Sequence, residues 1–234
     1  MKIGVIGDGK MGKRIQEVVQ TYGDEAVTLT SSLIETEAFV FTEEPEIMID
    51  FSHPDNLEKL LTYSLQKKLP LVIGTTGYSS EQFQKIQQAG QDIPVLYSSN
   101  FSLGVLVMNQ LVQQATAALK NWQIELIEKH HSQKKDAPSG TAKTLIESIQ
   151  EVRKLTPVYS WEKQPRNDDE IGVHSIRVGS LPGEHEVLFA TTDEVLSIKH
   201  EAFSNRIFAD GAVNTAIWLK DQPAGWYQLK DMLA

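Results

Sequence analysis

The chain opens Met1-Lys2-Ile3-Gly4-Val5-Ile6-Gly7-Asp8-Gly9-Lys10-Met11-Gly12, and these residues decide the fold. Ile3–Ile6 is a short, branched apolar run, and Gly7–Gly12 fits the pattern G-x-G-x-x-G directly after it. Glycines at those positions permit a tight turn, close approach of backbone to a pyrophosphate, and close packing of the next helix on the strand. The helix N-terminus then offers N–H groups and a positive dipole end to the phosphates. Alone the pattern also fits a plain turn. Between a first strand and a helix it predicts a dinucleotide site built from Gly7, Asp8, Gly9, Lys10, Met11 and Gly12. The same stretch is too short and too glycine-rich to read as a signal peptide.

Outward from this unit the pattern repeats. Strand-like runs at Val27–Leu29, Ile47–Phe51, Leu71–Ile73 and Val95–Tyr97 alternate with helical patterns at Lys13–Thr21, Leu57–Lys68 and Glu81–Ala89. Buried strands alternating with helices imply right-handed crossovers and an α/β, doubly wound parallel sheet of Rossmann type. After Asn100 the pattern changes. An apolar helix at Leu103–Leu119 leads to a strand at Gln123–Glu128. A second helix at Thr141–Lys154 places Ala142, Leu145, Ile146, Ile149 and Val152 on one stripe. Val173–Val178, His185–Phe189 and Val195–His200 follow too closely for crossovers, so they are expected to be antiparallel. The last helix, about Asn205–Leu219, is expected to return to the first domain. The expected organisation is a dinucleotide-binding domain over residues 1–101, completed by about 205–234. A substrate-binding and oligomerisation domain of α+β type, with an open mixed sheet, occupies 102–204. Two helices cover one face of that sheet, so a neighbouring subunit is expected on the other.

Composition narrows the function. Apolar content of 41% and charged content of 23% belong to an ordinary globular chain. No apolar run approaches the roughly 20 residues that span a bilayer. A net charge of -9 argues against nucleic acid and anionic membrane as partners, because both need a basic face. The absence of cysteine excludes disulfides, thiolate metal sites and cysteine nucleophiles, and makes the cytoplasm the expected location. One segment runs against the overall charge: Lys129-His130-His131-Ser132-Gln133-Lys134-Lys135 holds no acid. A local cationic patch in an acidic protein suggests a small anionic ligand.

Further cofactor contacts are expected where strands end. Gly74, Thr75, Thr76 and Gly77 follow the fourth run, at the carboxyl edge where ligands bind in such sheets. Their hydroxyls suit a nicotinamide carboxamide and ribose, although a hydroxyl-rich turn has the same composition. Ser98, Ser99, Asn100 and Phe101 follow the next run and either close over the cofactor or act as a hinge. The second run ends in Thr30-Ser31-Ser32 with no acid to take a ribose 2′-hydroxyl. Ser31 and Ser32, with Lys10, could instead bind a 2′-phosphate, so NADPH is expected to be accepted at least as well as NADH. Glu35 lies beyond the tip and reads equally as a solvated loop residue.

The segment richest in chemistry runs from Glu128 to Thr141. Adjacent histidines at a strand end point to opposite sides, which makes His130 and His131 poor joint ligands, and no metal is expected. Lys134 or a histidine suits a general acid. Ser139-Gly140-Thr141 precedes a helix and suits a carboxylate cradle. A basic surface loop followed by an ordinary N-cap accounts for the same residues.

Glu128-Lys129-His130-His131, then Lys134 and Asp136-Ala137-Pro138-Ser139-Gly140-Thr141, closely resembles the signature of the 4-hydroxy-tetrahydrodipicolinate reductases (dihydrodipicolinate reductases) of lysine and diaminopimelate synthesis. The likeness extends to the glycine loop, Asp50-Phe51-Ser52, Gly74–Gly77, Asn100-Phe101-Ser102, Gly183–Phe189 and Ala209–Ala212. It implies a homotetramer joined through the open sheet and domain closure over both ligands. It further implies reduction of a ring dicarboxylate by NADPH or NADH. By position, His130 and Lys134 become the proton-donating catalytic residues, and His131, Gly140 and Thr141 bind substrate. Gly7 to Gly12, Gly74 to Thr76 and Ser98 to Phe101 would hold the cofactor. Two departures stand out. Family members often carry an acid or an acid–arginine pair where this chain has Ser31 and Ser32, and alanines where it has Ser98 and Ser99. A semialdehyde dehydrogenase shares the two-domain plan but needs a thiolate, which this chain lacks. An amino-acid dehydrogenase or a sensor of the NADPH ratio would share the glycine loop, with no need for the full run from His130 to Thr141.

Overall fold

The computed structural model describes residues 1–27, 39, 41, 43–161 and 165–233. The elements begin with β1 (Lys2–Ile6), α1 (Lys10–Thr21), β2 (Glu25–Val27), β3 (Ile47–Asp50) and α2 (Leu57–Lys67). β4 (Leu71–Ile73), α3 (Ser80–Ala89), β5 (Pro94–Tyr97) and α4 (Leu103–Ala118) follow. Next come β6 (Gln123–His130), α5 (Gly140–Gln150), β7 (Thr156–Val158), β8 (Glu170–Arg177), β9 (Gly183–Ala190) and β10 (Val195–Ala202). The chain closes with α6 (Arg206–Leu219) and β11 (Gly225–Tyr227). Two compact units result, Met1–Ser102 with Arg206–Ala234, and Leu103–Asn205.

The first unit is a six-stranded sheet in the order β11-β5-β4-β3-β1-β2, parallel at every pairing. All four residues of β3 and all three of β4 are buried, as strands covered on both faces require. On one face Leu57 and Leu60 of α2 and Ile86 of α3 pack over Met48, Leu71, Ile73 and Val95. The other face receives α6, which packs on β3, β4 and β5 and on α1. Ala209, Ala212 and Ala216 keep α6 close to the strands. Ser79 and Gln82 form a reciprocal capping box at the start of α3. Strand order reverses between β1 and β3, which makes their carboxyl ends the switch point where such sheets bind ligands.

The second unit is a five-stranded sheet in the order β10-β9-β6-β8-β7. β10 and β6 run antiparallel to β9, while β6, β8 and β7 run parallel. The sheet is mixed, as expected, but its pairing differs from a simple succession of antiparallel strands. β8 and β9 do run in opposite directions, with β6 inserted between them. Ile124 and Leu126 of β6, Ile171 and Val173 of β8, and Val187 and Phe189 of β9 face α4 and α5. Among the described residues no helix of this unit packs on the opposite face, where Glu125, Ile127, Lys129, Glu186 and Leu188 lie outside the core that α4 and α5 cover.

Other differences are local. α5 ends at Gln150, before the expected Lys154, and Val152 is exposed. Just beyond the helix, the Arg153 guanidinium donates to the carbonyls of Trp122 and Asp168, which anchors the chain in a turn. β7 and β11, three residues each, are too short to leave a periodic signal. β2 begins at Glu25 rather than Val27. The expectations for residues 28–32 and Glu35 lie outside the described residues.

Candidate functional site

In the first unit the glycine loop joins β1 to α1. Gly7 has φ 117°, and a Cβ there would lie 2.3 Å from the Phe51 carbonyl oxygen at the end of β3. A Cβ on Gly12 would lie 1.9 Å from the Gly7 carbonyl oxygen, so helix and turn approach as closely as glycine permits. At Gly9, the N-cap, a Cβ would meet nothing within 4 Å. Among the described residues no side chain caps this helix, and no acid occupies its first turn. Open space before a helix N-terminus without a side-chain cap is what a pyrophosphate needs, so these residues fit a dinucleotide. Asp8 and Lys10 are exposed, and Met11 is half-buried.

The β4–α3 turn stands beside this loop. Met11, Phe51, Ser52, Gly74 and Thr76 line one cavity. The two threonines behave differently. Thr75 is buried, and its hydroxyl accepts the Ser52 N–H at 2.7 Å, whereas Thr76 is exposed. Buried Asp50 accepts from the Ser52 hydroxyl at 2.6 Å and the Tyr78 hydroxyl at 3.3 Å. Burial raises the Asp50 carboxyl above the usual range, against the hydrogen bonds from Ser52, Thr75 and Tyr78. This network ties the β3 and β4 ends together. Ser98 and Asn100 form a local turn through the Ser98 hydroxyl, and the Asn100 side-chain oxygen accepts the Ser102 N–H. Ser99 is exposed. Phe101 is buried with its ring 5.5 Å from that of Phe51, so it can offer a ligand its backbone and not its ring.

In the second unit the chemistry gathers at the end of β6. Alternation puts Glu128 and His130 on the face of Ile124 and Leu126, and both are buried, with Glu128 at 0% exposure. His130 Nδ1 lies 2.6 Å from Glu128 Oε2, out of line for a full hydrogen bond. Arg177, at the end of β8, donates to Glu128 Oε1 at 2.7 Å and to the Asp136 carbonyl at 2.6 Å. Burial pushes the Glu128 carboxyl upward, but Arg177, Ser175 and His130 outweigh it and hold it below its usual range. Burial lowers His130. The Glu128 charge opposes this, and Lys134 and Arg177 reinforce it.

The following loop brings in the remaining residues. His131 and Lys134 are half-buried, and Lys134 pairs with Asp136 at 2.9 Å. Ser139 caps α5 by accepting the Ala142 N–H, and its hydroxyl lies 3.0 Å from His185 Nε2. Gly140 is exposed, and a Cβ on it would meet nothing within 4 Å, leaving room for a ligand at the helix N-terminus. Thr141 is the next helical residue. Sequence reasoning missed Arg177 and His185 as neighbours of His130, since they lie on other strands. Glu128 left a signal in its core parity on β6, where an acid requires partners.

Glu128, His130 and His185 are also the one group among the described residues whose ligand atoms come within 4.8 Å of one another. The arrangement suits a proton better than a metal ion. Two donors at about 2.0–2.1 Å on one tetrahedral ion stand well over 3 Å apart, while Glu128 Oε2 and His130 Nδ1 are at 2.6 Å. A cation there would also face the Arg177 guanidinium.

A Rossmann-type sheet with its glycine loop at the switch point, in one chain with a mixed sheet that carries this cluster, has the plan of a nicotinamide-dependent oxidoreductase. Comparison with known proteins narrows the class. The family model for the dihydrodipicolinate reductase N-terminus matches residues 1–101, and that for its C-terminus matches residues 104–233. The 4-hydroxy-tetrahydrodipicolinate reductase of Exiguobacterium sibiricum is 40% identical over 99% of this chain and 96% of its own length. That of Rickettsia rickettsii is 38% identical over 99% and 98%. The chain belongs to the dihydrodipicolinate reductase family. A dipicolinate-bound dihydrodipicolinate reductase from Paenisporosarcina sp. TG-14 has the same fold, with a TM-score of 0.78 over 97% of each chain at 24% identity.

Proposed function

We propose that the chain reduces 4-hydroxy-tetrahydrodipicolinate to tetrahydrodipicolinate in lysine and diaminopimelate synthesis, using NADPH or NADH. The observation that carries this reading is buried His130, with Lys134 beside it, in the loop that ends at the N-terminus of α5. When bound at the glycine loop, the nicotinamide cofactor supplies a hydride to ring C4, from which water has departed. His130 or Lys134 supplies the accompanying proton, so one substrate, one reduced cofactor and one proton give product, water and oxidised cofactor. Gly140 and Thr141 receive a carboxylate at the helix N-terminus, and His131 with the lysines of the loop balances the second.

Gly7–Gly12, with Gly74–Thr76 and Ser98–Phe101, would hold the cofactor. The uncovered face of the second sheet supports a homotetramer, and light scattering that gives a monomer mass would refute it. The cysteine-free composition supports a cytoplasmic location. The main test couples the purified protein to fresh synthase product from pyruvate and aspartate semialdehyde, and follows oxidation of NADPH and, separately, NADH. Rapid oxidation of either supports the reductase. No oxidation, with both cofactors shown to bind, refutes it and favours a relative with another substrate.

A further inference from the structure

We propose that Glu128 and Arg177 are positioning residues that set the tautomer and charge of His130, with Glu128 holding the ring hydrogen on Nδ1 so that Nε2 exchanges protons, and Arg177 sharing the carboxylate so that His130 is not locked as a cation. This rests on the reading of His130 as a proton-exchanging group.

At 2.6 Å from a carboxylate oxygen, and even out of line with it, a hydrogen on Nδ1 is favoured over a lone pair, because the negative charge attracts the N–H dipole and repels the lone pair. The neutral ring then has its lone pair on Nε2. Nε2 faces Gly183 of β9, where a Cβ would stand at 3.1 Å, so glycine leaves that atom clear. Glu128 is itself held. Arg177 bonds Oε1 at 2.7 Å and the Ser139 N–H reaches the same oxygen at 3.3 Å, which links the carboxylate to the N-cap of α5.

The charge balance follows from the groups around the ring. An unshared carboxylate this close raises a histidine by about one to three pKa units. Against it stand Arg177 on β8 and Lys134 on the loop, the latter paired with Asp136, together with burial. His185 on β9, whose ring centre is 5.1 Å from that of His130, adds no charge near neutrality because its own value is about 4. His200 lies beyond it and is likewise lowered by burial. The guanidinium is therefore the counterweight that keeps a buried histidine beside a carboxylate from being locked as a cation, so that Nε2 can take up a proton and release it to the substrate.

The test is long-range 1H–15N NMR of the histidine-labelled full chain, with His130 assigned through His130→Gln. In the parent, neutral His130 is expected as the Nδ1–H tautomer. Glu128→Gln should lower its pKa by about one unit or more, and Arg177→Gln should raise it by a similar amount. The pH–rate profile should move in the same directions, and Glu128→Asp should recover part of the shift. An Nε2–H tautomer in the parent overturns the proposal, and needs no variant to fold. Shifts of the same sign for both substitutions, or none, overturn it too. The NMR readout needs no turnover. A protein that shows the tautomer and the opposed shifts without reducing the substrate refutes the function and leaves this pairing intact.

Discussion

His185 gives the second unit a specific sensitivity to acid. The residue is 4% exposed on β9, its Nε2 meets the Ser139 hydroxyl at 3.0 Å, and its Nδ1 has no hydrogen-bond partner among the described residues. Burial, reinforced by the charge of neighbouring His130, lowers its pKa from 6.5 to about 4. The unfolded chain takes up this proton near its ordinary value, and the folded chain only near the lower one. Between the two the unfolded state holds more protons, so stability is complete above about pH 6.5 and is lost as pH falls toward about 4. At about 1.4 kcal/mol per unit, the loss reaches about 3 kcal/mol below both values and about 2 kcal/mol at pH 5.

The perturbation is His185→Gln, whose amide still suits the Ser139 hydroxyl. The assay is hydrogen exchange by mass spectrometry on peptides covering β6 and β9, at pH 7.5 and pH 5, corrected for intrinsic rates. His185 alone should account for a loss of protection of about 30-fold in the parent, the equivalent of about 2 kcal/mol. The variant should lose markedly less. His130 and His200 are lowered by burial as well and remain in both proteins, so the difference isolates His185. Equal losses in parent and variant would refute the reasoning.

Gly12→Ala forces a Cβ to within 1.9 Å of the Gly7 carbonyl oxygen, so the glycine turn must open. NADPH binding, read by nicotinamide fluorescence, should weaken by about tenfold or more, a cost of about 1.4 kcal/mol, and an unchanged Kd would sink the assignment. Lys134→Ala should lower kcat by about 100- to 10,000-fold with cofactor affinity little altered, and a parent-like rate would remove Lys134 from proton transfer. Treatment with a chelator should leave the reductase rate unchanged. Loss of turnover restored by added zinc would instead make Glu128, His130 and His185 a metal site.

Much of the fold was legible because its signals are local. The runs at Ile47, Leu71 and Val95 are apolar on both parities, which marks buried parallel strands. The stripe of Ala142, Leu145, Ile146 and Ile149 lies within one helix and faces one core. The glycine loop was readable because each glycine answers a backbone constraint within a few residues. Val152 was misread because helical period continues through a position where the Arg153 anchors end the helix. The division of labour in Gly74–Gly77 was not readable either. That Thr75 accepts from Ser52 while Thr76 stays exposed depends on which strand lies beside β4.

By itself the sequence determined the longer elements, though not the short strands β7 and β11, together with the parallel first sheet and the position of the reactive segment at a strand end before a helix. Periodicity, turn chemistry and capping act over a few residues, and each leaves its mark in the chain. Only the tertiary structure decided that β6 lies between β8 and β9. That order brings Arg177 from one side and Gly183 and His185 from the other to the pair formed by Glu128 and His130. Strand order is settled by which arrangement buries the most apolar surface over α4 and α5. That competition pairs residues 47 positions apart across β6 and β8 and from 55 to 67 apart across β6 and β9, and no local pattern records its outcome.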